Sequence, residues 1–120
     1  MTKPSQRIAI LLSALVLSTG LLSTAAMAAD DAVAQGKALA FDRKKGNCLG
    51  CHAIEGGELP GNIGPPLIAM KARFPDKKKL YDQIWDATAR NPMTAMPPFG
   101  KHGALTDKQV ELITEYIHTL

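Results

Sequence analysis

A chain of 120 residues has room for one small domain, and 46% of its residues are hydrophobic while 21% are charged. The formal net charge of +3 comes without any basic stripe that carries interleaved aromatic residues, which argues against a nucleic-acid-binding protein. Because only 5% of the residues are aromatic, the side chains build a modest core, and a covalent or metal staple or a large buried cofactor would compensate for this.

The N-terminal segment has the composition of a secretory signal peptide. Two basic residues precede an almost wholly apolar run over 8–22, and Ala-Met-Ala at 26–28 fits the cleavage pattern of signal peptidase. A retained membrane anchor is the alternative, but the run is shorter than the about 20 residues that a span needs. The sequence therefore predicts a signal peptide over 1–28, a folded domain over 29–120, and a periplasmic protein without a stable membrane anchor after processing.

Two further stretches have the apolar spacing of amphipathic helices. The first predicted helix begins at Asp30 or Asp31, either of which is a suitable cap, and it reaches about Lys44. The second runs over about 76–89. Pro92 then ends it, because the residue before a proline avoids helical geometry.

The third predicted helix occupies the C-terminus. Thr106 and Gln109 have the spacing of a capping box, and the apolar stripe that comes after them consists of Val110, Ile113, Ile117 and Leu120. No sustained strand alternation occurs, so the sequence predicts an all-α fold. The segments 56–66 and 93–103 are rich in Gly and Pro and are long for connections in a small domain, and we expect them to wrap a cofactor.

The motif that carries the chemistry is Cys48-Leu49-Gly50-Cys51-His52, the attachment pattern of c-type haem. Two thiols three positions apart lie on one side of a turn and add to the two vinyl groups of the porphyrin. The histidine that comes next then reaches the iron. The sequence therefore predicts one covalent haem c, bound through Cys48 and Cys51, with His52 as an axial ligand.

Other kinds of CxxC site are less consistent with the chain. A thioredoxin-like redox pair would need strands that the pattern does not show. A zinc site would need more ligands, and His102 and His118 lie at spacings that match no zinc finger or ribbon. A structural disulfide remains as an alternative. His118 lies off the apolar stripe of the third helix, and we expect it to be solvated.

An axial histidine needs its second nitrogen to be held, and the usual partner is a carbonyl oxygen. Gly64-Pro65-Pro66 is rigid and follows the motif at a suitable distance. We expect the Pro65 carbonyl to accept this hydrogen bond, although a simple turn would have the same composition.

The second axial ligand is predicted to be Met96. It lies in a loop before the last helix, and Pro97-Pro98 restricts the backbone that carries it. Met93 and His102 remain as alternatives. Met70 lies in an apolar segment, where a methionine is more often a core residue than a ligand.

Two basic clusters remain, at 43–45 and 77–79. The first precedes the haem motif, so we expect it to dock an acidic partner. The second lies at the start of the second predicted helix, where positive charge opposes the helix dipole, and we expect it to be a solvated surface.

Several segments resemble SoxX, the monohaem cytochrome subunit of the periplasmic SoxAX complex of sulfur-oxidising bacteria. The haem motif alone is shared by all c-type cytochromes, but its flanks and three later segments are more specific. The resembling segments are 46–57 (GNCLGCHAIEGG), 60–67 (PGNIGPPL), 83–92 (QIWDATARNP) and 96–100 (MPPFG).

The resemblance implies that 29–120 is a cytochrome c domain of the class I fold with His/Met ligation, in which Met96 occupies the ligand position. It also implies a heterodimer with a SoxA-like cytochrome, and action through that complex on a SoxYZ-like carrier, to whose cysteine thiosulfate is joined. The reactive cysteine of that reaction belongs to SoxA. Here no thiol remains once Cys48 and Cys51 bind haem, so we expect an electron-transfer subunit that is not catalytic alone.

The expected function is one-electron transfer from the partner's site to a downstream acceptor during thiosulfate oxidation. The first alternative is a free-standing electron carrier to a respiratory oxidase. The second is a haem-free binding domain stabilised by a disulfide or a metal.

Overall fold

The computed structural model describes residues 21–120, with side chains from residue 27 onward. The chain divides into two units between Asp30 and Asp31, and the second unit, Asp31–Leu120, contains the haem motif and both Gly/Pro-rich segments. The predicted signal segment lies for the most part outside the described residues, so its cleavage stays a prediction. Among the described residues, no helix has both the length and the apolar character that a membrane span needs.

Helices are the only regular elements of residues 21–120, which confirms the all-α prediction. The α-helices of this part of the chain are α1 (Leu21–Phe41), α2 (Met70–Arg73), α3 (Lys77–Trp85) and α4 (Asp107–Ile117). Two single 3₁₀ turns, Cys48–Gly50 and Ala87–Ala89, accompany them. Long irregular segments join these elements, as the Gly- and Pro-rich composition predicts.

Both predicted ends of the first helix were wrong. Helix α1 is already helical at Leu21, the first described residue, and it ends at Phe41, before the predicted end at about Lys44. The chain turns there because the Asp42 carbonyl accepts hydrogen bonds from the N–H groups of Lys45 and Asn47, each at 3.0 Å. The Asp42 carboxylate also accepts one from the Lys44 N–H at 2.8 Å. A local Asx turn therefore replaces the last predicted turn of helix.

Helix α3 starts as predicted but ends early. Asp76 is its N-cap, and its carboxylate accepts a hydrogen bond from the Lys78 N–H. The helix ends at Trp85 because Asp86 leaves helical geometry, with φ −147° and ψ 85°. The Asp86 carboxylate accepts the Thr88 N–H and so begins the 3₁₀ turn 87–89 instead of continuing the helix.

Helix α4 has the capping box that the sequence predicts. The Thr106 hydroxyl accepts the Gln109 N–H, and the Gln109 side chain accepts the Thr106 N–H. Val110, Ile113 and Ile117 of the predicted stripe are almost completely buried. Burying side chains of this size stabilises the fold by about 1.5–3 kcal/mol each.

The core lies between α3, α4 and the end of α1. Helix α1 approaches α4 closely at Gly36, where any side chain would collide with the backbone of Leu112. The rings of Phe41 and Tyr116 meet further along this contact, with centroids 6.3 Å apart. The buried hydrophobic residues are Ala40, Ile54, Leu67, Met70, Leu80, Ile84, Ala87, Leu105, Val110, Ile113, Tyr116 and Ile117.

Two surface expectations were wrong in part. His118 is half-buried, and its Nε2–H donates a hydrogen bond to the Phe74 carbonyl at 3.0 Å, so it is not simply solvated. In the second basic cluster, Lys77 forms an ion pair with Glu115 at 2.7 Å. Helix packing brings these partners together across 38 residues or more of sequence, which explains why local pattern does not reveal them.

Candidate haem site

An apolar cavity of about 270 Å³ lies between the motif, the two Gly/Pro-rich segments and the helices. Leu80 and Ile84 of α3 and Ile113 and Ile117 of α4 form part of its wall. All five residues that the sequence assigns to cofactor binding also line it, namely Cys48, Cys51, His52, Pro65 and Met96. The fold therefore brings two thiols, an imidazole, a carbonyl group and a thioether to one cavity, although these groups are up to 48 positions apart in the sequence.

The motif itself forms a compact turn. Asn47 adopts left-handed geometry at φ 46°, and the chain then enters the 3₁₀ turn Cys48–Gly50. The Cys48 carbonyl accepts the N–H groups of Cys51 at 3.2 Å and His52 at 2.9 Å. These bonds direct both thiols and the imidazole towards the same cavity.

Both cysteines are free thiols in the structure, not a disulfide. Burial raises the pKa of Cys48 to about 11, and the nearby Cys51 contributes to this rise. Among residues 21–120, no group of three or more His, Cys, Asp and Glu side chains is arranged to hold a metal ion.

His52 has one ring nitrogen committed to the protein. Its Nδ1 lies 2.6 Å from the Pro65 carbonyl oxygen. Because a carbonyl can only accept, Nδ1 carries the proton, and Nε2 is left with a free lone pair. This is the tautomer that a metal-ligating histidine needs, with its orientation held by a second group.

The segment that carries Pro65 packs tightly against the motif. The Gly64 N–H donates to the Cys51 carbonyl at 2.9 Å, and the Leu67 N–H donates to the Ala53 carbonyl at 2.9 Å. A side chain at Gly64 would collide with the His52 imidazole, so only glycine allows this approach. The segment thus fixes the imidazole by both contact and hydrogen bond.

Met96 reaches the cavity from the second Gly/Pro-rich segment. Its side chain is half-buried, and the Thr94 hydroxyl accepts its backbone N–H at 3.2 Å. The alternatives are placed differently. Met93 is 91% exposed and His102 is exposed, and neither lines the cavity. Met70 is buried in the core, as expected, although it also touches the cavity.

Polar contacts that the sequence did not reveal hold the Met96 segment. The Trp85 carbonyl accepts the N–H groups of Gly100 and Lys101, both at 3.1 Å. Lys101 Nζ also forms an ion pair with the buried Asp86 carboxylate at 2.7 Å. The hydrogen bonds of Asp86 with Lys101 and Thr88 lower its pKa below the usual value. In the sequence, the Asp-x-Thr spacing of 86–88 was the one local signal of this arrangement, because it is typical of a capped turn.

The donor set and the walls of the cavity fit a covalently attached haem. Cys48 and Cys51 would hold it through thioether bonds, and the Nε2 lone pair of His52 and the Met96 sulfur are the groups suited to its iron. The lining is mostly apolar, as a porphyrin requires, and Arg73 is the one Lys, Arg, Asp or Glu residue among the described residues of the lining.

Comparisons with known proteins agree with this fit. The chain is 37% identical over 76 residues to an uncharacterized lipoprotein of Aquifex aeolicus (strain VF5), a match that covers 62% of this chain and 37% of the relative's length. The family described as "Cytochrome C oxidase, cbb3-type, subunit III" matches residues 31–117, which is well over half of the chain. The chain belongs to this cytochrome c family and is a c-type cytochrome, a haem protein of electron transfer.

Proposed function

We propose that the protein carries a single haem c whose iron is ligated by His52 and Met96. The observation that carries this proposal is the pairing of His52 Nδ1 with the Pro65 carbonyl, which leaves Nε2 free, in a cavity that Met96 also lines. Bound haem supplies one-electron Fe(III)/Fe(II) chemistry. The chain's own residues anchor the haem, supply its axial ligands and exclude water with an apolar wall.

The redox role follows from the ligand pair. A thioether is neutral and favours reduced iron, so a His/Met haem has a higher potential than a haem with two strong donors. The surrounding apolar side chains act in the same direction because they disfavour the more highly charged oxidised iron. A site built in this way is suited to accept electrons and pass them on.

We infer that the physiological role is that of a SoxX-like subunit in thiosulfate oxidation. The resembling segments 60–67 and 96–100 contribute cavity-lining residues, and 83–92 contains part of the cavity-lining helix α3. The chain's two cysteines are both in the haem motif, so a partner must supply any reactive sulfur. The proposed complex is a heterodimer with a SoxA-like cytochrome that acts on a SoxYZ-like carrier.

The first basic cluster, 43–45, is the proposed docking surface for that partner. All three side chains are exposed, and they directly precede the motif turn that lines the cavity. Charges in such a position steer an acidic partner towards the haem edge and raise the association rate at low salt.

The proposed location is the periplasm, because c-type haem is attached outside the cytoplasm. The relative in Aquifex is described as a lipoprotein, which also supports a location outside the cytoplasm. Cleavage of the predicted signal would give a mature chain that begins at Ala29, and mass spectrometry of periplasmic protein measures this directly. An intact N-terminus in a membrane fraction would contradict the cleavage.

Affinity purification from the periplasm of cells grown on thiosulfate tests the Sox role. We expect a second c-type cytochrome to co-purify in equal amount, and we expect thiosulfate-dependent haem reduction only in the complex. Thiosulfate oxidation by the isolated chain would overturn the assignment.

The second candidate is a free-standing electron carrier to a respiratory oxidase. The description of the family, which names an oxidase subunit, favours it. This candidate predicts a monomer in the periplasmic extract and direct reoxidation by membranes that contain a terminal oxidase. The Sox role instead predicts a stable heterodimer.

A further inference from the structure

The sulfur of Met96 has a polar neighbour on α3. The Gln83 Nε2 lies 3.7 Å from Met96 Sδ, within the range of a hydrogen bond to sulfur. Gln83 is half-buried and lines the cavity beside the apolar Leu80 and Ile84. A polar side chain in such a wall is costly unless its amide finds partners, and the thioether is one of them.

We propose that Gln83 is a positioning residue that donates an N–H hydrogen bond to the Met96 sulfur and thereby raises the reduction potential of the haem. The inference rests on the proposed function, in which Met96 is an axial ligand. It adds to that function a residue that tunes the ligand without touching the iron.

The orientation of the Gln83 amide follows from its second contact. Arg90 Nη1 lies 3.4 Å from Gln83 Oε1. Because a guanidinium group only donates, the atom that faces Arg90 must be the amide oxygen. The NH₂ group is therefore the one directed at Met96, and Arg90 selects this orientation over its flipped form.

The effect on potential follows from the lone pairs of sulfur. A thioether has two, so Met96 can give one to iron and still accept an N–H with the other. The hydrogen bond withdraws electron density from the sulfur and weakens its donation to the metal. Oxidised iron depends more on that donation than reduced iron does, so the reduced state is favoured and the potential rises.

The hydrogen bond also restrains a flexible side chain. Methionine has three rotatable side-chain bonds and a soft thioether, so it is poorly held by packing alone. The Thr94 hydroxyl fixes the Met96 backbone N–H, and Gln83 fixes the sulfur at the other end of the side chain.

The test compares the haem-loaded wild type with Gln83→Met, which keeps the length of the side chain but removes the donor. We expect a lower potential in redox titration and a retained but shifted sulfur-to-iron band in the near infrared. Gln35→Met is the matched control, because in the described part of the chain the Gln35 amide bonds to the exposed Asp31 and does not line the cavity. It should leave both measurements unchanged.

Arg90→Met provides a second route should Gln83→Met fail to fold. Because this variant also removes a positive charge, Lys79→Met is its control. Lys79 and Arg90 line the same surface cleft, but it is Arg90 that donates the hydrogen bond to Gln83. We expect Arg90→Met to lower the potential more than Lys79→Met. In the Gln83→Met background this difference should disappear.

The outcomes separate the two proposals. An unchanged potential in Gln83→Met, with the near-infrared band intact in the wild type, would overturn the role of Gln83 and leave Met96 ligation standing. A wild type without the band would overturn Met96 ligation and this inference with it. Equal effects of Arg90→Met and Lys79→Met would contradict the selected amide orientation.

Discussion

Lys101 and Asp86 form an ion pair at 2.7 Å that joins the two ends of the segment carrying Met96. The backbone makes the same connection, because the N–H groups of Gly100 and Lys101 both donate to the Trp85 carbonyl. The segment is therefore a closed loop whose base is fixed to the end of α3. Its base, and not only its Pro97-Pro98 sequence, holds Met96 in position.

The first prediction concerns this ion pair. Lys101→Met should loosen the loop, so that added imidazole replaces Met96 at lower concentration while covalent haem is retained. Visible spectra during an imidazole titration measure this. Lys108→Met is the control, because within residues 21–120 Lys108 pairs with Glu111 on the exposed face of α4. Identical imidazole affinity in the wild type and Lys101→Met would show that the pair does not hold the loop that carries Met96.

The same pair predicts a dependence on pH. Hydrogen bonds from Lys101 and Thr88 lower the pKa of Asp86 from its usual value of 3.8. The carboxylate therefore contributes stability that is present above the usual value and is lost as the pH falls through the lowered pKa. Thermal unfolding should show that Asp86→Asn is less stable than the wild type at pH 7, and that the difference narrows below about pH 4. A constant difference down to pH 2 would contradict this.

The second axial ligand is tested by two methionine variants. Met96→Ala should keep covalent haem, lower the potential and abolish the sulfur-to-iron band in the near infrared. Met93→Ala should change neither, because its side chain is 91% exposed and lies away from the cavity. The reverse result would make Met93 the ligand. If neither variant loses the band, Met70, which also lines the cavity, becomes the next candidate.

The close packing on His52 predicts a large effect of a single methyl group. Gly64→Ala would place that group against the imidazole, and overpacking of this kind costs about 1–3 kcal/mol of unfolding free energy. Denaturant unfolding of the holoprotein measures it. Gly50→Ala is the control, because a methyl group there meets mainly the side chain of the exposed Asn47. Equal stability of the two variants would contradict the tight contact at His52.

The last prediction concerns the cysteines. Replacing Cys48 and Cys51 together by Ala should abolish covalent haem and leave a mostly unfolded chain, because a core this small depends on the cofactor. A haem stain on a denaturing gel and far-ultraviolet circular dichroism report the two effects. A double variant that stays helical without haem would show that the side chains alone are sufficient to fold the chain.

The sequence by itself determined the features that depend on residues close together in the chain. The haem motif spans five positions, and the capping box of α4 spans four, so their geometry follows from local backbone and spacing. The buried stripe of α4 follows from helical periodicity for the same reason. The absence of strand alternation predicted the all-α fold, composition predicted the long Gly/Pro-rich segments, and the described residues agree with both.

Only the tertiary structure decided which groups surround the proposed ligands. Gln83 meets Met96 across 13 positions, Lys101 meets Asp86 across 15, and His118 meets Phe74 across 44. Each contact exists because helices and loops pack in three dimensions, and a side chain's local spacing carries no information about that packing. The early end of α3 has the same origin, since Asp86 both caps a new turn and pairs with Lys101 at the far end of the loop that carries Met96.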